Sequence, residues 1–308
     1  MLGTGGFLGS QFRRLLEEHR SWVTTVCVSR TVPTDPEACD EDSRWVKLDL
    51  STASDEEVRG LVSAVEPDAI VNCAGAVTGT FDQLMSANVG LVGTLLRALS
   101  GTGIRLVQFG SAAEYGPSAA RHPVVEDHPC HPVTDYGRTK LVATEAVQEA
   151  SRSGQVDGIV LRVFNPLGRG MGEQTLPGRA ARLMSRAIES GSDRIELGPL
   201  GAWRDYLDAR DVAEAALAAA TRPVAPALVL NVGSGRAMES RELIRRLARV
   251  AAFAGTVGEM CEESGRSAGV NWQQADVDAI RDTLGWSTRY TPDDALRDLW
   301  DASASCCL

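Results

Sequence analysis

Three side chains in this sequence could together move a proton on or off an alcohol or a ketone. Tyr136 and Lys140 stand four apart in Asp135-Tyr136-Gly137-Arg138-Thr139-Lys140, and Ser111 lies 25 positions before Tyr136, in Phe109-Gly110-Ser111-Ala112-Ala113-Glu114-Tyr115. On a helix, residues i and i+4 share a face, so the lysine ammonium can sit beside the phenol oxygen. A free phenol ionises near pH ~10, and a fixed cation beside it favours phenolate and makes it a usable acid or base nearer neutrality. A serine hydroxyl within reach could hold the same substrate oxygen. Tyr-x-x-x-Lys alone is weak, because many surface helices contain it. Its weight comes from a glycine run at the start of the chain and from the order of elements between the two.

That run is Leu2-Gly3-Thr4-Gly5-Gly6-Phe7-Leu8-Gly9, with Gly3, Gly6 and Gly9 in GxxGxxG spacing. In a βαβ unit such a turn lets backbone amides at a helix N-terminus, here those at Gly6, Phe7 and Leu8, approach a pyrophosphate. A dinucleotide fold needs its central strand immediately before the glycines, and only Met1 and Leu2 stand there. Three explanations are open: the strand begins upstream, with Met1 at an internal position; another segment or chain supplies it; or the fold has lost it. Leu2 reads as the last residue of such a strand.

The elements that would position these groups alternate. Strands are predicted over Trp22–Ser29, Arg44–Leu48, Ala69–Ala74, Arg105–Phe109, Gly158–Phe164 and Ala227–Val232. Helices are predicted over Phe7–His19, Asp55–Val65, Thr80–Ser100, Tyr136–Arg152, Pro177–Ser190, Val212–Ala220, Ser240–Ala254 and Val277–Leu284, with Ser240 as an N-cap and a further helix start at Thr291-Pro292. The fold class is therefore α/β: a Rossmann-like doubly wound parallel sheet, its first strand missing or truncated, with a smaller C-terminal lobe. The expected division is 1–165 with 205–235 for the dinucleotide domain, and 166–204 with 236–308 for the substrate lobe.

The cofactor side can be read from strand ends. The second strand ends Val26-Cys27-Val28-Ser29-Arg30, with no acid to bind the ribose hydroxyls of NAD. Arg30 could instead pair with a 2′-phosphate, which favours NADP with NAD as the alternative. Asp49 and Leu50 would lie near the adenine, and Cys73, Ala74 and Gly75 end the next strand where small residues permit close approach. Asn88, mid-helix, reads as satisfying a backbone group.

Composition is that of a soluble globular chain, with 44% hydrophobic and 23% charged residues. A net charge of −10 and the lack of a Lys/Arg-rich run argue against nucleic acid and anionic membrane as partners. No apolar run reaches the ~18 residues of a membrane helix. The seven cysteines (27, 39, 73, 130, 261, 306 and 307) lack metal spacing and suggest reduced thiols in a cytoplasmic protein, with no metal.

Taken together, the residues resemble an extended short-chain dehydrogenase/reductase of the NAD-dependent epimerase/dehydratase type. The resemblance runs from Gly3 to about Trp300. It rests on the glycine run, Asn72–Gly75, Ser111, Tyr136, Lys140, Leu161-Arg162-Val163-Phe164-Asn165-Pro166-Leu167-Gly168, Trp203-Arg204-Asp205-Tyr206, Asn231-Val232-Gly233-Ser234-Gly235 and Leu284-Gly285-Trp286. Within the family the chain is most similar to nucleotide-sugar 4-ketoreductases of the GDP-4-keto-6-deoxymannose reductase group. The resemblance implies that Tyr136 exchanges the proton at the sugar C4 oxygen and that Lys140 holds the nicotinamide ribose. Ser111, beside Ala112, would bind the same oxygen, Asn165 would place the sugar nucleotide, and Arg204 or Arg182 would meet its diphosphate. It also implies a homodimer built on the Thr80–Ser100 and Tyr136–Arg152 helices.

The departures narrow the chemistry. Dehydratases carry an acid and a base where this chain has Ala112 and Ala113, which cannot titrate, and Glu114 one place further on is expected to point elsewhere. Gly168-Arg169-Gly170 replaces the family's Gly-Pro-Gly, and Asn271-Trp272-Gln273-Gln274 lies where a basic residue often meets the nucleotide. The leading expectation is NADPH-dependent reduction of a nucleotide-activated 4-keto-6-deoxyhexose. A nucleotide-sugar epimerase with retained NAD, and a non-redox or cofactor-deficient member of the fold, are the alternatives.

Overall fold

The computed structural model describes residues 1–19, 21–31, 44–119, 121–226, 228–260 and 269–305. In chain order its elements begin α1 Phe7–Glu18, β1 Val26–Ser29, β2 Arg44–Lys47, α2 Asp55–Val65, β3 Ala69–Asn72 and α3 Phe81–Met85, which runs through a π-helical turn (Ser86–Gly90) into α4 Leu91–Leu99. Next come β4 Arg105–Ser111, a 3₁₀ turn (Ala112–Glu114), α5 Asp135–Arg152, β5 Asp157–Val163, β6 Asn165–Leu167 and α6 Leu176–Ser190. The remainder is β7 Arg194–Leu197, β8 Trp203–Asp208, α7 Ala209–Thr221, β9 Leu228–Val232, β10 Ala237–Glu239, α8 Ser240–Val250, β11 Thr256–Glu259, α9 Asp278–Leu284 and α10 Pro292–Ser305.

Local chemistry fixes many of the helix ends. Ser54 with Glu57, and Thr80 with Gln83, form capping boxes at α2 and α3. Thr134 and Thr175 cap α5 and α6 by accepting from the N–H three residues on. Each such cap contributes about 1 kcal/mol. Gly191 ends α6 in the left-handed region, φ 69°, where a glycine carries no Cβ penalty. Ser240 departs from its expected role. It is the first helical residue of α8, and its hydroxyl donates to the Ala202 carbonyl, so Glu239 holds the cap position.

The main sheet is parallel. β3, β4, β5 and β9 lie side by side, and β1 pairs with β2. Met1–Gly3 join the two parts. Leu2 N–H donates to the Val71 carbonyl at 2.9 Å and Gly3 N–H to that of Val28 at 3.1 Å, while Val28 and Cys73 N–H donate to Met1 and Leu2 at 3.0 Å each. These three residues thus occupy the position between β1 and β3, bonded to both. The glycine turn emerges where the winding of the sheet reverses, the place where open α/β sheets bind ligands.

Strand alternation sends side chains to two cores. Val107, Ile159 and Leu161 meet Phe12 and Leu16 of α1 and Val212 and Ala216 of α7 on one face. Leu106 and Val160, one residue out of phase, meet Val58, Leu95 and Val147 of α2, α4 and α5 on the other. Each fully buried Leu, Ile or Val contributes about 1.5–3 kcal/mol. A third cluster, with Leu167, Met184, Leu197, Tyr206, Leu243, Leu247 and Leu299, holds β6–β8 to α6, α8 and α10. Its small sheets, β10-β8-β6 and β11-β7, went unpredicted because their strands are three to six residues long and half polar. Among the described residues no helix is long and apolar enough to cross a membrane, and no His/Cys/Asp/Glu group could hold a metal. Cys73 and Cys130 are free thiols, and Cys39, Cys261, Cys306 and Cys307 lie outside the described residues.

Candidate active site

The C-terminal end of β4 and the first turns of α5 bring the predicted catalytic residues to one place. Ser111 is the last residue of β4 and N-caps the 3₁₀ turn, its Oγ accepting from Ala113 N–H at 3.2 Å. Gly137, next to Tyr136, faces that turn so closely that a Cβ would lie 2.5 Å from the Ala113 carbonyl oxygen. Only glycine allows α5 this approach. Lys140, on the same helix face as Tyr136, is buried and donates from Nζ to the Phe109 carbonyl, two residues before Ser111. Burial pushes the ammonium's pKa down, and the Glu114 carboxylate opposes that shift. Tyr136 is half-buried at the mouth of the helix.

Glu114 does turn away from the substrate side, as expected, and the structure shows where it goes. It is fully buried. Oε1 accepts from Ser111 N–H at 2.7 Å and from the Thr144 hydroxyl at 3.0 Å, and Oε2 accepts from Arg162 Nε at 2.7 Å. The Arg162 guanidinium lies 4.7 Å from the ring centroid of Tyr115, and Nη1 donates to the Glu126 carbonyl. The Tyr115 hydroxyl donates to Asn231 Oδ1 at 2.7 Å. Sequence reasoning missed this network. The available signal was an arginine inside the apolar strand Ile159-Val160-Leu161-Arg162-Val163, since a buried guanidinium requires a buried acceptor.

The cofactor side fits a dinucleotide. Gly3 has φ +73°, and a Cβ there would lie 2.6 Å from Ala74 N, which packs the turn against β3. Gly9 would drive a Cβ to 2.1 Å from the Gly3 carbonyl oxygen, whereas Gly5 has nothing within 4 Å and so borders open space. Gly6 caps α1 without a side-chain hydrogen bond, so no cap side chain covers the first-turn N–H groups about Phe7 and Leu8. Buried Thr4 also carries an unpartnered Oγ1 inside the loop. Arg30 is exposed at the end of β1, and its charge is felt by Asp49, whose carboxylate is held below the usual range chiefly by its bonds to Ser51. Leu50 is half-buried beside them.

At the end of β3, burial pushes the Cys73 thiol up to about 12, so it stays an inert wall. Gly75 would place a Cβ 2.8 Å from Asn88 Oδ1. Asn88, in the π turn, accepts from Ala76 N–H at 2.9 Å and donates to the Ala76 carbonyl and the Thr139 hydroxyl, each at 3.0 Å. It serves the backbone, as read from sequence, and ties the loop after β3 to α5.

On the substrate side, Asn165 opens β6 half-buried, with Nδ2 on the Asp205 carbonyl at 3.2 Å. The Ala112 carbonyl accepts from Gln273 Nε2 at 3.2 Å. Trp272, beside it, stacks on Trp203 with ring centroids 5.2 Å apart. Arg204, expected at a diphosphate, is buried instead, with Nη1 on the Trp203 carbonyl and Nη2 on that of Val270. Arg182 lies on α6 with Nε 3.3 Å from Glu173 Oε1 and its side chain 32% exposed. The two arginines are therefore not equivalent candidates.

Residues 1–233 match the family model described as the NAD dependent epimerase/dehydratase family. The dTDP-6-deoxy-L-talose 4-dehydrogenase (NAD(P)(+)) of Kitasatospora kifunensis is 35% identical over 310 residues, covering 99% of this chain and 95% of that one. The GDP-6-deoxy-D-mannose reductase of Pseudomonas aeruginosa is 31% identical over 242 residues, covering 75% and 78%. Among solved structures, RMD from Pseudomonas aeruginosa complexed with NADPH shares the fold with a TM-score of 0.79 at 23% identity, covering 99% of this chain and 98% of that one.

Proposed function

The chain belongs to the NAD dependent epimerase/dehydratase family, and on that premise we propose that it reduces a nucleoside-diphosphate-activated 4-keto-6-deoxyhexose at C4, the reverse step being oxidation of the 4-hydroxyl. It is an NAD(P)-dependent enzyme. The observation that carries the reading is the surroundings of Ser111. Positions 112 and 113 are alanines and the Glu114 carboxylate is turned into the core, so this turn offers hydride-transfer chemistry a proton donor without offering elimination its acid and base. Likeness to a 4-dehydrogenase along nearly the whole of both chains supports the same reading.

When bound, the nicotinamide supplies or takes the hydride at the sugar carbon. In reduction, the Tyr136 phenol gives its proton to the C4 oxygen as that oxygen becomes an alkoxide. Ser111 Oγ donates to the same oxygen and holds it in line. The Lys140 ammonium favours the phenolate left on Tyr136 and can bond the ribose hydroxyls. Such proton transfer is worth about 10²–10⁴ in rate, and alignment of the two reactants supplies more. The open glycine turn and the amides of Phe7 and Leu8 would hold the pyrophosphate, with Arg30 toward a 2′-phosphate and Asp49, Leu50, Cys73, Ala74 and Gly75 lining the adenine and ribose side. Asn165 would orient the sugar. Arg182 is better exposed to the diphosphate than Arg204, whose guanidinium serves two backbone carbonyls.

The test is turnover with dTDP- and GDP-linked 4-keto-6-deoxyhexoses, following loss of reduced nicotinamide and the appearance of the 4-hydroxy sugar by NMR. Consumption of NADPH with either substrate supports the proposal. Interconversion of UDP-hexose C4 epimers without added reductant, by protein that carries NAD through purification, would replace it with the epimerase reading.

A further inference from the structure

We propose that Glu114 is a positioning residue of the site, holding the Ser111 turn through one carboxylate oxygen while serving as the buried counter-charge of Lys140. The proposal rests on the reading of Ser111, Tyr136 and Lys140 as the catalytic group, and it names a fourth residue on which two of them depend.

The carboxylate sits where β4, α5 and β5 meet. Its Oε1 lies so close to the backbone at Gly110 that a Cβ there would approach to 2.7 Å, so glycine at 110 makes room for it. That same oxygen takes the Ser111 N–H and the Thr144 hydroxyl. Thr144 is one turn beyond Lys140 on the same face of α5, so Oε1 is the end of the carboxylate that looks toward the ammonium. Oε2 looks the other way, to Arg162. The Glu114–Arg162 pair is neutral as a whole but oriented, with its negative end toward α5. Of its two members, the carboxylate is the one that acts on Lys140, raising an affinity for the proton that burial lowers. Without it, a buried ammonium bonded to one carbonyl tends to lose its proton, and a neutral amine no longer favours phenolate on Tyr136.

Other charges belong elsewhere. Arg105 pairs with Asp157 at the opposite end of the strands, Arg97 with Asp55 on the outer surface and Arg138 with Asp135 on the exposed side of α5. Of the charged groups, Glu114 is the one that acts on Lys140; its partner Arg162 also faces the titratable groups Tyr115, Cys130 and Glu126.

The sequence allows a direct measurement. It contains two lysines, Lys140 and the exposed Lys47, among 31 basic residues. With ¹³Cε-labelled lysine in a Lys47→Arg background, a single NMR resonance reports the Lys140 titration. Glu114→Gln is expected to lower that pKa by about one unit or more, and to move the alkaline limb of the turnover–pH profile down with it. Should Glu114→Gln fail to fold, Arg162→Gln tests the same field with the opposite sign: over the pH range in which the uncompensated carboxylate stays ionised, the Lys140 pKa should rise. An unmoved Lys140 resonance in the folded variant would overturn the counter-charge role even if turnover fell. Shifted resonances in a protein inert toward every nucleotide sugar would instead overturn the functional reading and leave the charge coupling standing.

Discussion

Asn88 Nδ2 donates to Thr139 Oγ1 across 3.0 Å, joining the π turn between α3 and α4 to α5 one residue before Lys140. The same amide closes a two-bond ring with Ala76, so one side chain fixes the loop after β3 and the helix that carries Tyr136. π turns recur at functional sites, and here the wider turn presents the asparagine inward. Asn88→Leu removes the partner of two backbone groups, at about 1–3 kcal/mol for each one left buried and unpaired. The expected outcome is cofactor affinity weakened roughly tenfold, a loss of about 1.4 kcal/mol. Quenching of protein fluorescence by NADPH measures it.

The glycine turn makes two opposite predictions within five residues. Gly9→Ala forces a methyl against the Gly3 carbonyl, and backbone cannot give way as a flexible side chain can. It should cost several degrees of Tm. Gly5→Ala meets nothing within 4 Å, so Tm should stay put while cofactor binding weakens, because the methyl fills space that a pyrophosphate needs. Thermal melts with and without NADPH separate the two effects.

Tyr136→Phe keeps the ring and removes the proton. Turnover should fall by about 10³, within the usual range for losing a general acid, while the Kd for NADPH changes less than threefold. A variant that retains a tenth of wild-type turnover would refute the role of Tyr136.

We propose that Arg30 sets the choice between dinucleotides. It is exposed at the end of β1, and Asp49 beside it is already satisfied by the Ser51 hydroxyl at 2.6 Å. Arg30→Ala should raise the KM for NADPH roughly tenfold and leave that for NADH nearly unchanged, as expected for loss of one charge-assisted bond. Equal changes for both would assign Arg30 no part in the choice.

Much of this site was legible because its chemistry is local. Ser111, the Tyr136–Lys140 pair and the glycines announce themselves by type and spacing, and the βα rhythm places them at one end of a sheet. Boundaries shifted where apolar runs overshoot their elements: Trp22, inside the predicted Trp22–Ser29 strand, is 58% exposed in a turn before Val26. What stayed hidden is non-local. Glutamate ordinarily signals solvent, and nothing within ten residues of Glu114 shows that Arg162 awaits it in the core. The surroundings of Arg204 were hidden in the reverse sense. An arginine in a recognisable motif suggests a ligand, but the carbonyls it satisfies come from its own neighbour and from Val270, 66 positions away. The lobe strands are too short and too polar for alternation to register.

Asp211 gives the fold a measurable pH dependence. It is buried at the start of α7, and its carboxylate accepts from Arg289 N–H at 2.8 Å and Tyr290 N–H at 3.3 Å, tying the segment before α10 to α7. Burial raises its pKa to about 6, against the two backbone bonds that lower it. A folded pKa above the unfolded value of about 3.9 means that the native state holds the proton more tightly. The stability this contributes is fully present below pH ~4 and is lost as pH rises through about 6, a change on the order of 3 kcal/mol. Asp211→Asn removes the titration, so the Tm of the wild type relative to this variant should fall between pH 4 and 6 and level off above. A difference that stays flat between pH 4 and 6 and rises with pH only below about 4 would show that the two backbone donors outweigh burial and that the carboxylate is ionised in the native state over that window.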